Sequence, residues 1–100
     1  MRIKILTTGG TIDKTYFDKK SDYQVGEPQA GGILERANVV LEYEVESVLK
    51  KDSLDLNATD RQKIRNAEES GSVSRIVITH GTDTMIETAV ALENIPGKTI

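Results

Sequence analysis

The sequence predicts an α/β fold, a parallel sheet with flanking helices, and three observations carry that expectation. Segments with strand character alternate with segments at helical spacing, the pattern of parallel strands joined by right-handed crossovers. Arg75-Ile76-Val77-Ile78-Thr79 is a continuous apolar run, as expected of a strand covered on both faces. Two polar clusters, at Thr59 and at Thr84, each carry a helix-start signal immediately before a helical pattern.

The elements follow in order. Over residues 2–7, Arg2 and Lys4 alternate with Ile3 and Ile5, a strand that Gly9-Gly10 brings to an end. Residues 14–31 hold Gly26, Pro28 and Gly31 among polar side chains with little periodicity, and are read as a long, mobile loop of the kind that is often functional. A short helix is expected over 32–38, around Ile33, Leu34 and Ala37. Over 41–49, Leu41, Tyr43, Val45 and Ser47 alternate with Glu42, Glu44, Glu46 and Val48, a strand whose glutamate face is open to solvent or to a partner.

Thr59-Asp60-Arg61-Gln62 fits a capping box with Thr59 as the cap, opening a helix to Glu69 with Gly71 as its stop. Thr84-Met85-Ile86-Glu87 fits a second one, and Met85, Ile86, Ala89, Val90 and Leu92 form the core-facing stripe of the helix that follows. Lys98-Thr99-Ile100 has the look of a further strand, so the sheet reads as unfinished and the chain as truncated.

Composition narrows the chemistry. At 100 residues the chain is one small domain, and 37% hydrophobic with 29% charged residues is a globular balance. Aromatic residues make up only 4%, which leaves the core to Ile, Val, Leu and Ala. The net charge of -3 and the lack of a basic block argue against a nucleic-acid partner. With no cysteine there is no disulfide, thiolate nucleophile or cysteine metal site. His80 is the only histidine, so no zinc cluster is expected, and any nucleophile is a hydroxyl, a lysine or a carboxylate. No apolar stretch suits a signal peptide or a membrane span, and a cytoplasmic protein is the default expectation.

Three strand-like segments end in polar turns: Thr7-Thr8-Gly9-Gly10-Thr11-Ile12-Asp13, Lys51-Asp52-Ser53-Leu54-Asp55 and His80-Gly81-Thr82-Asp83-Thr84. In an open parallel sheet such turns share the carboxyl edge, where ligands bind, so Thr11, Ser53, Thr82 and Asp83 are expected to converge. Gly9-Gly10 lets backbone amides approach a ligand or a developing oxyanion closely. Thr11 would present its hydroxyl beside them, and Tyr23, in the loop, is placed to close over it. Each element also has a plain structural reading. Gly9-Gly10 is then a tight turn, Asp83 and Thr84 cap a helix, and Ser53 bonds within its own loop. His80 is a hydrogen-bonded strand-end residue, Tyr23 a surface aromatic, and Lys50-Lys51 a solvated charge pair.

Taken together the motifs resemble those of the asparaginase/glutaminase family: Thr8-Gly9-Gly10-Thr11-Ile12 near the N-terminus and His80-Gly81-Thr82-Asp83-Thr84 further on. Tyr23-Gln24-Val25-Gly26 is similar to the family's flexible-loop tyrosine segment, and Asp52-Ser53-Leu54-Asp55 to its substrate-binding serine segment. The four matches run in the family's order across residues 8–84. The resemblance implies a Rossmann-like three-layer N-terminal domain over 1–100, with 14–31 as a flexible active-site loop. It implies Thr11 as nucleophile, Tyr23 as the hydroxyl that assists it, and Thr82 and Asp83 as a second catalytic pair. Asp83 would also hold the substrate's amino group, with Gly10 and Ser53 completing the substrate site.

The implied reaction is hydrolysis of asparagine, or glutamine, to the acid and ammonia without cofactor or metal, in a homo-oligomer. Leu54 stands where family members often carry glutamine. The family's catalytic lysine lies downstream of the His-Gly-Thr-Asp-Thr motif, and Lys98 is too near that motif to match it. Two other functions stay open: a binding module that recognises an amino acid without turning it over, and a Rossmann-type nucleotide-binding unit. The first glycine turn lacks both G-x-G-x-x-G and a P-loop lysine, which counts against the nucleotide unit.

Overall fold

The computed structural model describes residues 2–10, 14–17, 22–25, 30–38 and 40–100. Its elements are β1 (Arg2–Gly9), β2 (Lys14–Phe17), β3 (Asp22–Val25), α1 (Ala30–Arg36), β4 (Glu42–Lys51), a single 3-10 turn (Ser53–Asp55), α2 (Ala58–Glu69), β5 (Arg75–Thr79) and α3 (Met85–Ala91). Strands β4, β1 and β5 form a three-stranded sheet in that order, and both pairings are parallel. The chain is therefore an α/β fold of parallel strands with flanking helices.

Strand β1 is central because its sequence tolerates cover on every side. Residues 4–10 are all buried, with Leu6 and Thr7 fully so. Lys4 would be costly there but for its neighbour: its Nζ lies 3.5 Å from Glu46 Oε1 on β4. Arg2 likewise reaches Glu44 at 3.0 Å and Glu42 at 3.9 Å. The glutamate face is partly open to solvent, as expected, and its carboxylates also meet the basic side chains of the adjacent strand. The β1–β4 register slips between Thr7 and Gly9, where Gly9 pairs with Lys51, and this irregularity brings the end of β4 alongside the glycine turn.

The sheet's other strands depart from expectation. Strand β5 was expected to be covered on both faces, yet Val77 is half exposed while Ile76 is buried, so one face is covered and the other half open; at its edges β5 has β1 as a full partner. On its other side a single parallel bridge joins Arg75 to Thr99, with Thr99 N donating to Ser74 O and Ile76 N to Thr99 O. Residues 98–100 therefore do begin to extend the sheet. Within 14–31, read as lacking regular structure, β2 and β3 pair as an antiparallel hairpin with Tyr16 opposite Tyr23. Asp22-Tyr23-Gln24-Val25 does alternate polar and apolar residues, but over the shortest run in which alternation can be read.

The core cluster joins Leu49 of β4, Leu56, Ile64 of α2 and Leu92, with Val48 and Ile78 packed on it. Full burial of each such side chain contributes about 1.5–3 kcal/mol. The stripe on α3 was expected to be core, but Met85, Ile86 and Val90 are exposed and Thr88 is the buried residue of that helix. Nor does Thr84 cap α3 through its side chain, which is engaged elsewhere.

Helix α2 starts earlier than the expected cap at Thr59. Asn57 is the N-cap, in extended conformation; its side chain accepts from Asp60 N at 2.9 Å, and Asp60 accepts from Asn57 N at 3.1 Å. Asp60 wins this role because it is anchored from a second side: Lys51 Nζ donates to its two oxygens at 2.9 and 3.1 Å. Lys51 is therefore an ion-pair member and not simply a solvated charge. Burial works against the Asp60 carboxylate, but the Lys51 and Asn57 hydrogen bonds and the Lys51 and Lys63 charges outweigh it and hold its pKa below the usual value. Asn57→Ala should cost about 1 kcal/mol in urea unfolding, and Thr59→Ala about 0.5 kcal/mol or less. The reverse ranking would restore Thr59 as the cap.

Candidate functional site

Parallel pairing places the carboxyl ends of β1, β4 and β5 on one sheet edge. The three polar turns meet there. Gly10 N donates to Lys51 O at 3.0 Å, tying the first turn to the second. Thr8 Oγ1 donates to Thr79 O at 2.7 Å, tying the first to the end of β5. Gly10 has a φ of +84°, and a Cβ on it would stand 2.8 Å from Gly81 N. A Cβ on Gly81 would in turn stand 2.6 Å from Ser53 Oγ. The two glycines let the first turn's backbone approach that of Gly81, and Gly81 approach the Ser53 side chain, at distances a Cβ would not permit.

Ser53 is the hub of this edge. Asp52 accepts from Leu54 N at 3.2 Å and sets the 3-10 turn that directs Ser53 inward, where it is 1% exposed. Its hydroxyl donates to Asp83 Oδ2 at 3.3 Å and accepts from Asp83 N at 3.2 Å. Thr84 Oγ1 donates to Ser53 O at 2.8 Å, which is why Thr84 is not free to cap α3. The Ser53 hydroxyl thus bonds to the His80–Thr84 turn and not within its own loop. Thr82 and Asp83 are exposed beside it.

Not every expectation for these residues survives. The Gly10 amide was expected to face a ligand, but it is spent on Lys51 O, so Gly10 contributes close backbone approach and not a free donor. Thr11 lies outside the described residues. Tyr23 is described only as a backbone position of β3. His80 is a hydrogen-bonded strand-end residue: its Nδ1 meets Gly81 O, and its Nε2 lies 2.8 Å from Thr88 Oγ1. Lys98 Nζ donates to Gly71 O at 2.6 Å and Val73 O at 2.8 Å, ahead of the first residue of β5 and so away from this edge.

Sequence reasoning passed over Thr8, Arg61 and Thr88, which brace these turns. Thr88 gave one signal, a hydroxyl on a helical segment four residues after Thr84. Among the described residues, no group of three or more His, Asp and Glu side chains is placed to hold a metal ion. Nor is any helix among them long and apolar enough to cross a membrane.

The family model described as asparaginase, N-terminal, matches residues 2–98. The chain belongs to the asparaginase family. Solved structures agree with this asparaginase N-terminal domain. The thermostable L-asparaginase from Thermococcus kodakarensis superposes with a TM-score of 0.75 at 31% identity, over 92% of this chain and 29% of that one. L-asparaginase I from Vibrio cholerae gives 0.72 at 28% identity, over 91% of this chain and 29% of its own. A probable cytoplasmic L-asparaginase from Campylobacter jejuni gives 0.70 at 28% identity, over 88% and 29%. The chain therefore spans less than a third of the length of these enzymes. No individual curated protein sequence matches it.

Proposed function

We propose that this asparaginase-family chain supplies the nucleophile-bearing part of an amidohydrolase site that converts L-asparagine to L-aspartate and ammonia. The observation that carries the reading is the contact of Gly10 with Gly81, because it brings Thr8-Gly9-Gly10 and the His80–Thr84 motif to one sheet edge. Thr11 directly follows Gly10, and Thr82 and Asp83 directly follow Gly81.

In this mechanism the Thr11 hydroxyl attacks the side-chain amide carbon of the substrate. The C–N bond breaks, ammonia leaves with a proton, and a threonine acyl ester remains for water to hydrolyse. A threonine hydroxyl is almost wholly protonated at neutral pH, so the attack needs a base; Tyr23 and the Thr82–Asp83 pair are the candidates. Asp83 takes the substrate's ammonium group, and Ser53 its α-carboxylate. Ser53 and Asp83 bond to each other in the structure, so substrate binding exchanges that bond for one from each residue to the zwitterion. No cofactor is required. A homo-oligomer and a cytoplasmic location, as in the name of the Campylobacter relative, complete the proposal.

The test is ammonia release from L-asparagine. The 100-residue chain should bind L-aspartate weakly and turn over asparagine little, because the reading assigns a proton-transfer lysine to sequence beyond His80–Thr84, and losing such an element typically costs about 10²–10⁴-fold. A chain prolonged through that lysine should release ammonia, and Thr11→Ala should abolish the release. Robust turnover by the short chain, lost in Thr11→Ala, would make the lysine dispensable. Aspartate binding with no turnover in the prolonged chain would favour a binding module instead.

A further inference from the structure

We propose that Thr88 is a positioning residue for the Thr82–Asp83 turn: with Arg61 it locks His80 in a single tautomer, and the imidazole in turn holds the Gly81 carbonyl. The proposal rests on Thr82 and Asp83 belonging to the substrate site, but its core concerns hydrogen positions that can be read without substrate.

Thr88 is 3% exposed, on α3. Its hydroxyl has one hydrogen to give and two lone pairs. Arg61 Nε donates to Thr88 Oγ1 at 3.1 Å, and a guanidinium accepts nothing in return. That leaves the Thr88 hydroxyl a second lone pair and its hydrogen for His80 Nε2, 2.8 Å away, and the state of the ring decides which of the two is used. On the other side of the ring Nδ1 meets the Gly81 carbonyl, which can only accept, so Nδ1 carries the hydrogen. On a neutral ring Nε2 is then left with its lone pair, so the Thr88 hydrogen points to it, and the bonds together describe the Nδ1–H tautomer.

Hydrogen bonds therefore run one way, from Arg61 on α2 through Thr88 on α3 and His80 at the end of β5 to the Gly81 carbonyl. Gly81 is the residue whose backbone lies against both Gly10 and Ser53. Two helices thus fix the peptide that immediately precedes Thr82. A threonine suits this task because branching at Cβ restricts its χ1 and holds the hydroxyl in place. A Thr88 that merely filled space would leave the tautomer of His80 unchanged.

His80 is the only histidine, so two-bond proton–nitrogen correlations on the 15N-labelled chain report a single ring. At mildly alkaline pH the wild type should show the Nδ1–H form. Thr88→Val keeps the shape and removes the donor, so that only the Gly81 carbonyl holds the tautomer and a share of the Nε2–H form should appear. It should also shift the Gly81, Thr82 and Asp83 amides and weaken L-aspartate binding roughly tenfold, the scale of one lost hydrogen bond. Thr88→Ser should keep the tautomer and stay within about twofold of wild-type affinity. An Nε2–H ring in the wild type overturns the proposal, as does a Thr88→Val chain with unchanged tautomer and turn amides. A wild type with the Nδ1–H ring that binds no aspartate tells instead against the asparaginase reading and leaves the lock standing.

Discussion

Gly10→Ala is expected to destabilise the fold by about 2–5 kcal/mol, the sum of a left-handed backbone cost and an overpacking cost. The first arises because Gly10 sits at a φ of +84°, where a Cβ crowds its own carbonyl. The second is specific to this fold. The new methyl would stand 2.8 Å from Gly81 N and 3.0 Å from Gly81 Cα, and backbone cannot rotate away as a side chain can. On its other side Gly81 faces Ser53, whose Oγ and Cβ would stand 2.6 and 2.8 Å from a Cβ built on Gly81, which leaves it little room to retreat. Gly97 separates the two terms: it has a φ of +74° and nothing within 4 Å of a built Cβ. Gly97→Ala should therefore lose only about 1–2 kcal/mol, the backbone share. Urea unfolding of the two variants measures the difference. Equal losses would mean that the turns after β1 and β5 do not press on each other in solution, and the shared edge would lose its main support.

What the sequence disclosed depended on how local the cause was. Strands β1, β4 and β5 and helix α2 were legible because alternation and capping chemistry act within a few residues. The cap at Asn57 was missed for a non-local reason: Asp60 serves as its reciprocal partner while anchored by Lys51, nine residues away. The exposure of Val77, Met85, Ile86 and Val90 was missed because apolar content reports what a residue would gain from burial, not whether anything covers it. At the site, the motifs were legible as words, and the shared edge followed from parallel pairing. The bonds that join them were not. Ser53 to Asp83 spans thirty residues, and no local pattern announces that one hydroxyl serves both the amide and the carboxylate of another turn.

Raising the pH from about 5 to about 8 is expected to cost the fold about 3 kcal/mol through one side chain, Glu68. Asp60, Ile64 and Glu68 are the buried residues of α2, spaced four apart on one face, and Glu68 is fully buried. Neither of its carboxylate oxygens has a hydrogen-bond partner. The nearby cations are committed elsewhere: Arg65 serves Glu69, Ala91 O and Glu93 O, and Lys98 serves Gly71 O and Val73 O. Burial therefore dominates and raises the pKa from 4.5 to about 7, with Arg65 and Lys98 opposing and Glu69 reinforcing the shift. Below 4.5 the group is protonated folded or unfolded and contributes no pH dependence. Between 4.5 and about 7 the unfolded chain ionises while the native one stays neutral, so stability falls as pH rises, and above that range the loss is complete. Asp60 acts in the opposite direction and only at lower pH, since its stabilisation is lost as pH falls through its depressed pKa. Glu68→Gln keeps the shape without an ionisable group. It should match the wild type near pH 5 and exceed it by about 3 kcal/mol near pH 8 in urea unfolding. A constant difference between the two proteins across that range would mean that the folded carboxylate finds a partner for its charge.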